Sequence, residues 1–77
     1  MKLEVISPEK ILFSGDVELV TVPGTVGSFT ILPHHAPIIS SLKKGVVVYR
    51  VKGEDVEMNI NGGFIEMRND IISVCVE

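Results

Sequence analysis

Residues 55–60, Asp55-Val56-Glu57-Met58-Asn59-Ile60, place an apolar side chain at every second position and a charged or polar one between. Side chains of a β-strand point to opposite faces in turn, so this hexapeptide predicts a strand with one face toward a core and one toward water. The same period of two recurs at both ends of the chain. Ile72, Val74 and Val76 alternate with Ile71, Ser73 and Cys75, and Leu3 and Val5 alternate with Lys2 and Glu4. Two further runs, Val17–Val22 and Val46–Val51, are rich in β-branched residues and apolar on both faces, which predicts strands covered on each side. Phe29, Ile31 and Leu32 supply another short strand.

Turn-forming residues separate these runs: Ser7-Pro8-Glu9, Ser14-Gly15-Asp16, Pro23-Gly24, Lys44-Gly45, Gly53-Glu54, Asn61-Gly62-Gly63 and Asn69-Asp70. Their recurrence every 8 to 12 residues or so is the mark of a sandwich or barrel. A Pro, a Gly or a β-branched cluster interrupts every window long enough for a helix. Pro33 and Pro37 bracket His34-His35-Ala36, and residues that precede proline avoid the helical region, so Leu32 to Pro37 reads as a stiff connection. The expectation is an all-β fold.

A length of 77 residues fits one domain, residues 1–77, and disfavours a deep cleft between lobes. With 45% hydrophobic and 22% charged residues the chain lies outside the disordered regime. Its net charge is −3 and its few Lys and Arg are scattered, which disfavours nucleic acid as a partner, since phosphates call for a concentrated positive patch. No apolar run approaches the roughly 20 residues of a membrane-spanning helix. Met1-Lys2-Leu3-Glu4-Val5 shows no secretory signal, and the single Cys75 precludes an internal disulfide. A cytoplasmic product is expected.

Each candidate for chemistry meets a simpler explanation. His34 and His35 are adjacent, and in extended chain their rings point apart, so a shared metal is not expected. Cys75 lies in a strand-like segment without a basic neighbour and reads as a small buried hydrophobe. None of Gly24, Gly27, Gly62 or Gly63 precedes a helix or a phosphate-loop lysine, so these read as turn residues. Ser40 and Ser41 lack a nucleophile-elbow pattern. The ten carboxylates form no pattern that sets a pair across a cleft. More telling is the concentration of apolar and proline residues in expected loops: Val26, Pro33, Ala36, Pro37, Ile38 and Ile39. Exposed apolar patches of that kind mark interaction surfaces.

Ser7-Pro8-Glu9, Phe13-Ser14-Gly15, Pro23-Gly24-x-x-Gly27, Leu32-Pro33-x-His35-Ala36-Pro37 and Leu42-Lys43-x-Gly45 stand in an ordered series, followed by Gly62-Gly63-Phe64-Ile65-Glu66, Asn69 and the strand from Ile71 to Val76. Together they cover essentially the whole chain, which resembles the N-terminal domain of the epsilon subunits of rotary ATP synthases. The resemblance implies a small flattened β-sandwich or barrel of two mostly antiparallel sheets. It also implies a non-catalytic rotor component without cofactor or metal, whose partners are the gamma subunit and the c-subunit ring. Membrane association would then come only through the complex, peripherally on the cytoplasmic face. Two departures are visible. Family members commonly carry Gly at the position of His34 and often an acidic residue near Val26 or Ser28. They also commonly continue into two C-terminal helices, whereas this sequence reaches only Glu77; the expectation is therefore no C-terminal helical hairpin and no direct ATP binding.

In that reading gamma is met mainly through a sheet face and edge, and the expected partner-binding residues toward the ring are Val26, Gly27 and Ser28 together with Pro33, His34, His35, Ala36 and Pro37; loops at one end of a sandwich cluster in space, so the two groups can form one surface. The alternative is a small β-barrel ligand-binding domain, which requires an apolar pocket above roughly 300 Å³ with converging polar groups.

Overall fold

In the computed structural model, which describes all 77 residues, the alternating runs become strands and turn-rich segments join them. The strands are β1 (Lys2–Ile6), β2 (Ile11–Asp16), β3 (Leu19–Gly24), β4 (Gly27–Ile31), β5 (Ile38–Leu42), β6 (Gly45–Val51), β7 (Glu54–Ile60), β8 (Gly63–Arg68) and β9 (Ile71–Val76). Five of them run in the order β2-β1-β9-β8-β5, and β4-β3-β6-β7 form a second layer. One residue pair, Gly24 opposite Leu42, joins the layers into a single curled sheet. Every pairing is antiparallel except that of β1 with β9. The expected sandwich of two mostly antiparallel sheets is what the chain forms.

The inner faces share one apolar core. Leu3, Val5, Ile65, Met67, Ile72 and Val74 come from one layer, and Val20, Val22, Ile31, Val47 and Tyr49 from the other. No polar or charged side chain is buried with them, so burial carries little desolvation cost. Phe13 closes one side, its ring 4.4 Å from that of Tyr49.

Several expectations need correction. Val46–Val51 is covered on one face only: Val47 and Tyr49 are buried while Val46 is exposed. Val17–Val22 likewise buries Val17, Val20 and Val22 but leaves Glu18 exposed and Leu19 and Thr21 half-buried. A two-layer sandwich has only one inside, and the outward valines are shielded merely by neighbours across the strands. Ser14-Gly15-Asp16 is no turn but the end of β2, with Gly15 opposite Leu3. A Cβ there would lie 3.2 Å from the tip of the ring of Phe13, its neighbour on the same face of β2. Pro23-Gly24 ends β3, and the turn is Thr25-Val26. Pro23 sits where β3 leaves β6 and meets β5; its missing N–H costs no ladder bond there, and its carbonyl accepts from the Lys43 N–H at 2.9 Å. Ile38 and Ile39, read from the sequence as loop, begin the strand β5, which pairs with β8.

Two hairpins close through two-residue turns with both residues left-handed, Lys52-Gly53 (φ 50° and 81°) and Asn69-Asp70 (φ 54° and 61°). This is the turn whose twist matches the flanking strands. Gly63 meets a stricter demand. Its φ is 148°, and a Cβ would run into the carbonyl oxygen of Cys75 across the ladder.

Gly63→Ala is therefore expected to cost about 3 kcal/mol through forced displacement of β9. Gly53→Ala, whose Cβ enters open space, should cost only about 1 kcal/mol from its left-handed backbone. Urea unfolding of both variants checks this; equal losses would contradict the packing argument.

Candidate functional site

Two connections carry the residues expected to bind a partner. The first is the tip of the β3–β4 hairpin, where Gly24 faces Gly27 and the chain reverses through Thr25 and Val26. The Thr25 N–H donates to the Ser41 carbonyl at 3.2 Å, and the Thr25 and Ser41 hydroxyls lie 3.0 Å apart. The tip is thus tied to β5, and Val26 projects fully into solvent.

The second connection runs from Leu32 to Pro37. It is not the extended chain assumed for His34 and His35. The His35 N–H donates to the Leu32 carbonyl at 3.2 Å, Pro33 occupies the second position, and His34 stands third with φ 66°. That is a type II turn, whose third position favours glycine. The His34 N–H donates to Asp70 Oδ1 at 2.9 Å, and the His35 ring Nδ1 lies 2.8 Å from the Ala36 carbonyl oxygen. Pro33, His34, His35, Ala36 and Pro37 are all exposed.

These connections do not cluster at one end of the sandwich. They lie at opposite ends of β4, about 13 Å apart at the rise of a strand. What unites them is β4 itself, which pairs only with β3 and so leaves its other side free. Ser28 and Thr30 are exposed between the two connections. The expected site residues therefore line an edge of the molecule. Leu32, 55% exposed, extends its apolar character. A sequence signal does mark this edge: from Leu19 to Leu42 there is no Asp, Glu, Lys or Arg.

Chemistry elsewhere is sparse. No group of three or more His, Cys, Asp or Glu is placed to hold a metal. Cys75 is half-buried on the outward face of β9, because Val74 and Val76 take the inward positions. It lines an open hollow of about 530 Å³ with Ile6, Pro8, Phe64 and Val76. This exceeds the volume named above for a ligand pocket, yet it is a surface hollow and lacks converging polar groups. Ser7 is already engaged with Lys10, which leaves the Glu77 carboxylate as the one charged group.

The Asp70 carboxyl is held below the usual aspartate range first by the His34 N–H; desolvation opposes this, while the Met1 ammonium 3.5 Å away and His34 reinforce it. The Arg50 guanidinium, 2.7 Å away, likewise lowers Asp55. A depressed folded-state value stabilises above the unfolded one and is lost as pH falls through the folded one. Stability should accordingly drop below about pH 4, and Asp70→Asn and Asp55→Asn should each flatten that drop in acid unfolding curves. His34→Gly should stabilise the chain by about 1 kcal/mol by relieving the left-handed residue, read as a higher urea midpoint at unchanged slope.

With this geometry in view, the comparisons are specific. The family model of the ATP synthase delta/epsilon chain β-sandwich domain matches residues 1–77. The ATP synthase epsilon chain of Leptospira interrogans serovar copenhageni is 44% identical over 78 residues, covering 100% of this chain and 61% of the relative. That of Citrifermentans bemidjiense is 40% identical over 77 residues, with 100% and 56% covered. The chain thus spans about three-fifths of the length of these curated relatives. A chain in the cryo-EM structure of the Euglena gracilis mitochondrial ATP synthase OSCP/F1/c-ring superposes with a TM-score of 0.90 at 17% identity, over 96% of this chain and 48% of that one. One in the central stalk and c-ring of the Tetrahymena thermophila mitochondrial ATP synthase gives 0.82 at 17%, over 97% and 61%. These superpositions establish the likeness of fold, and the sequence matches establish kinship: the chain belongs to the family of ATP synthase delta/epsilon chain β-sandwich domains.

Proposed function

We propose that this chain serves as a non-catalytic central-stalk component of a proton- or sodium-translocating ATP synthase, acting as one unit over residues 1–77. In this reading it binds the gamma subunit and the c-subunit ring on the cytoplasmic face of the membrane, takes no cofactor and binds no ATP, and helps couple ion flow to ATP synthesis. The carrying observation is the edge from Val26 through Ser28 and Thr30 to Pro37, whose own residues include no Asp, Glu, Lys or Arg, exposed and held in shape by backbone bonds. Such an edge, with apolar tips and free backbone groups, suits docking on another protein. Kinship to epsilon chains supports the choice of partner.

The hollow beside Phe64 and Cys75 favours the alternative, a ligand-binding domain. Its walls offer almost nothing polar to orient a ligand, which ranks this reading second.

Co-purification with gamma, and with gamma plus the c ring, tests the proposal. The wild-type chain should be retained, whereas Val26→Glu and Ala36→Glu should each lower affinity about tenfold or more by burying an unpaired charge. Both positions are exposed, so the unfolding midpoints should hold. Unchanged affinity in both variants would remove this edge from the contact.

A further inference from the structure

The Pro33–Pro37 segment has few ties to the rest of the molecule. Its turn bond from the His35 N–H to Leu32 is internal, as is the contact of the His35 ring with the Ala36 carbonyl. One hydrogen bond leaves the segment for another element, that from the His34 N–H to Asp70 Oδ1 at 2.9 Å. The residue it fixes is the one with an unfavourable backbone, at φ 66°.

Asp70 is suited to such a hold. It lies in the tight turn between β8 and β9, where Arg68 faces Ile71. Its carbonyl accepts from the Lys2 N–H at 3.0 Å, which ties the turn to the start of β1. Its carboxylate is therefore delivered from a rigid corner where β1, β8 and β9 meet.

We propose that Asp70 is a positioning residue for the docking edge: by accepting from the His34 N–H it sets the orientation in which His35 and Ala36 meet the partner. This rests on the reading above that the Pro33–Pro37 segment is a partner contact. The hold needs an acceptor oxygen more than a charge. Asparagine supplies one and tolerates a left-handed backbone, whereas alanine supplies none. Glycine at position 34 adopts the turn without help.

Amide hydrogen exchange of the free chain, with affinity for gamma plus the c ring, tests the proposal. In Asp70→Ala the His34 amide should exchange about tenfold faster or more while the Ile65 and Val74 amides keep their protection, which shows that the core stays folded. Affinity should fall about threefold to tenfold. Asp70→Asn should keep wild-type values of both, and adding His34→Gly to Asp70→Ala should recover most of the affinity. Unchanged His34 exchange in Asp70→Ala would overturn the proposal. So would a loosened turn with undiminished affinity, provided that Ala36→Glu still weakens binding. If Ala36→Glu and Asp70→Ala both leave affinity intact while the turn loosens, the contact assignment fails, and with it the claim that Asp70 shapes a docking edge.

Discussion

Leu3 and Val5 lie beside Ile72 and Val74 in the parallel ladder of β1 and β9, all four fully buried. The rest of the sandwich depends on this union of β1 with β9. Without it β2 would hang from a lone hairpin, and the layer β2-β1-β9-β8-β5 would lose its centre. Of the pairings in the sandwich this one is the most distant in sequence, and closing so long a loop has an entropic cost that local contacts do not have. Fast collapse of the hairpins followed by slow registration of β1 on β9 is the folding order this topology favours. The apolar core stabilises that registration because a slip by one residue would turn Leu3 and Val5 outward.

Strands whose burial follows a strict alternation are legible in the sequence. Leu3 and Val5, Ile72, Val74 and Val76, and Met58 and Ile60 point inward as their spacing implies. At Val56 the pattern weakens, since that side chain near the tip of the β6–β7 hairpin is 40% exposed. β2 and β5 are hidden by their own composition. Gly15 has the composition of a turn but is small so that the Phe13 ring can fold over it. In β5 the inward positions hold Ile38, Ser40 and Leu42 while Ile39 faces solvent, which breaks the polarity pattern that would have marked a strand.

The site is legible in a different sense. The residues of the two connections can be named from their apolar and proline content and from the family resemblance, but their arrangement along β4 cannot. No local pattern says that β4 is an edge, because that depends on which strands pair with β3. The role of Asp70 is equally invisible, since in sequence it is one more turn residue after Asn69. Only the fold brings its carboxylate to a backbone amide of a residue distant in the chain.

The β4-β3-β6-β7 layer ends in edges of unlike character. β7 carries Glu54, Asp55 and Glu57, charges that repel a second copy laid alongside. β4 reads Gly27-Ser28-Phe29-Thr30-Ile31 and carries none. A free, uncharged strand of high β-propensity is a template for misassembly whenever nothing covers it. An orphaned copy of this chain is for that reason a colloidal hazard at high concentration, and salt offers little control over the association because there is no ionic repulsion on β4 to screen. Synthesis matched in amount to whatever covers that strand would be the simplest protection against it.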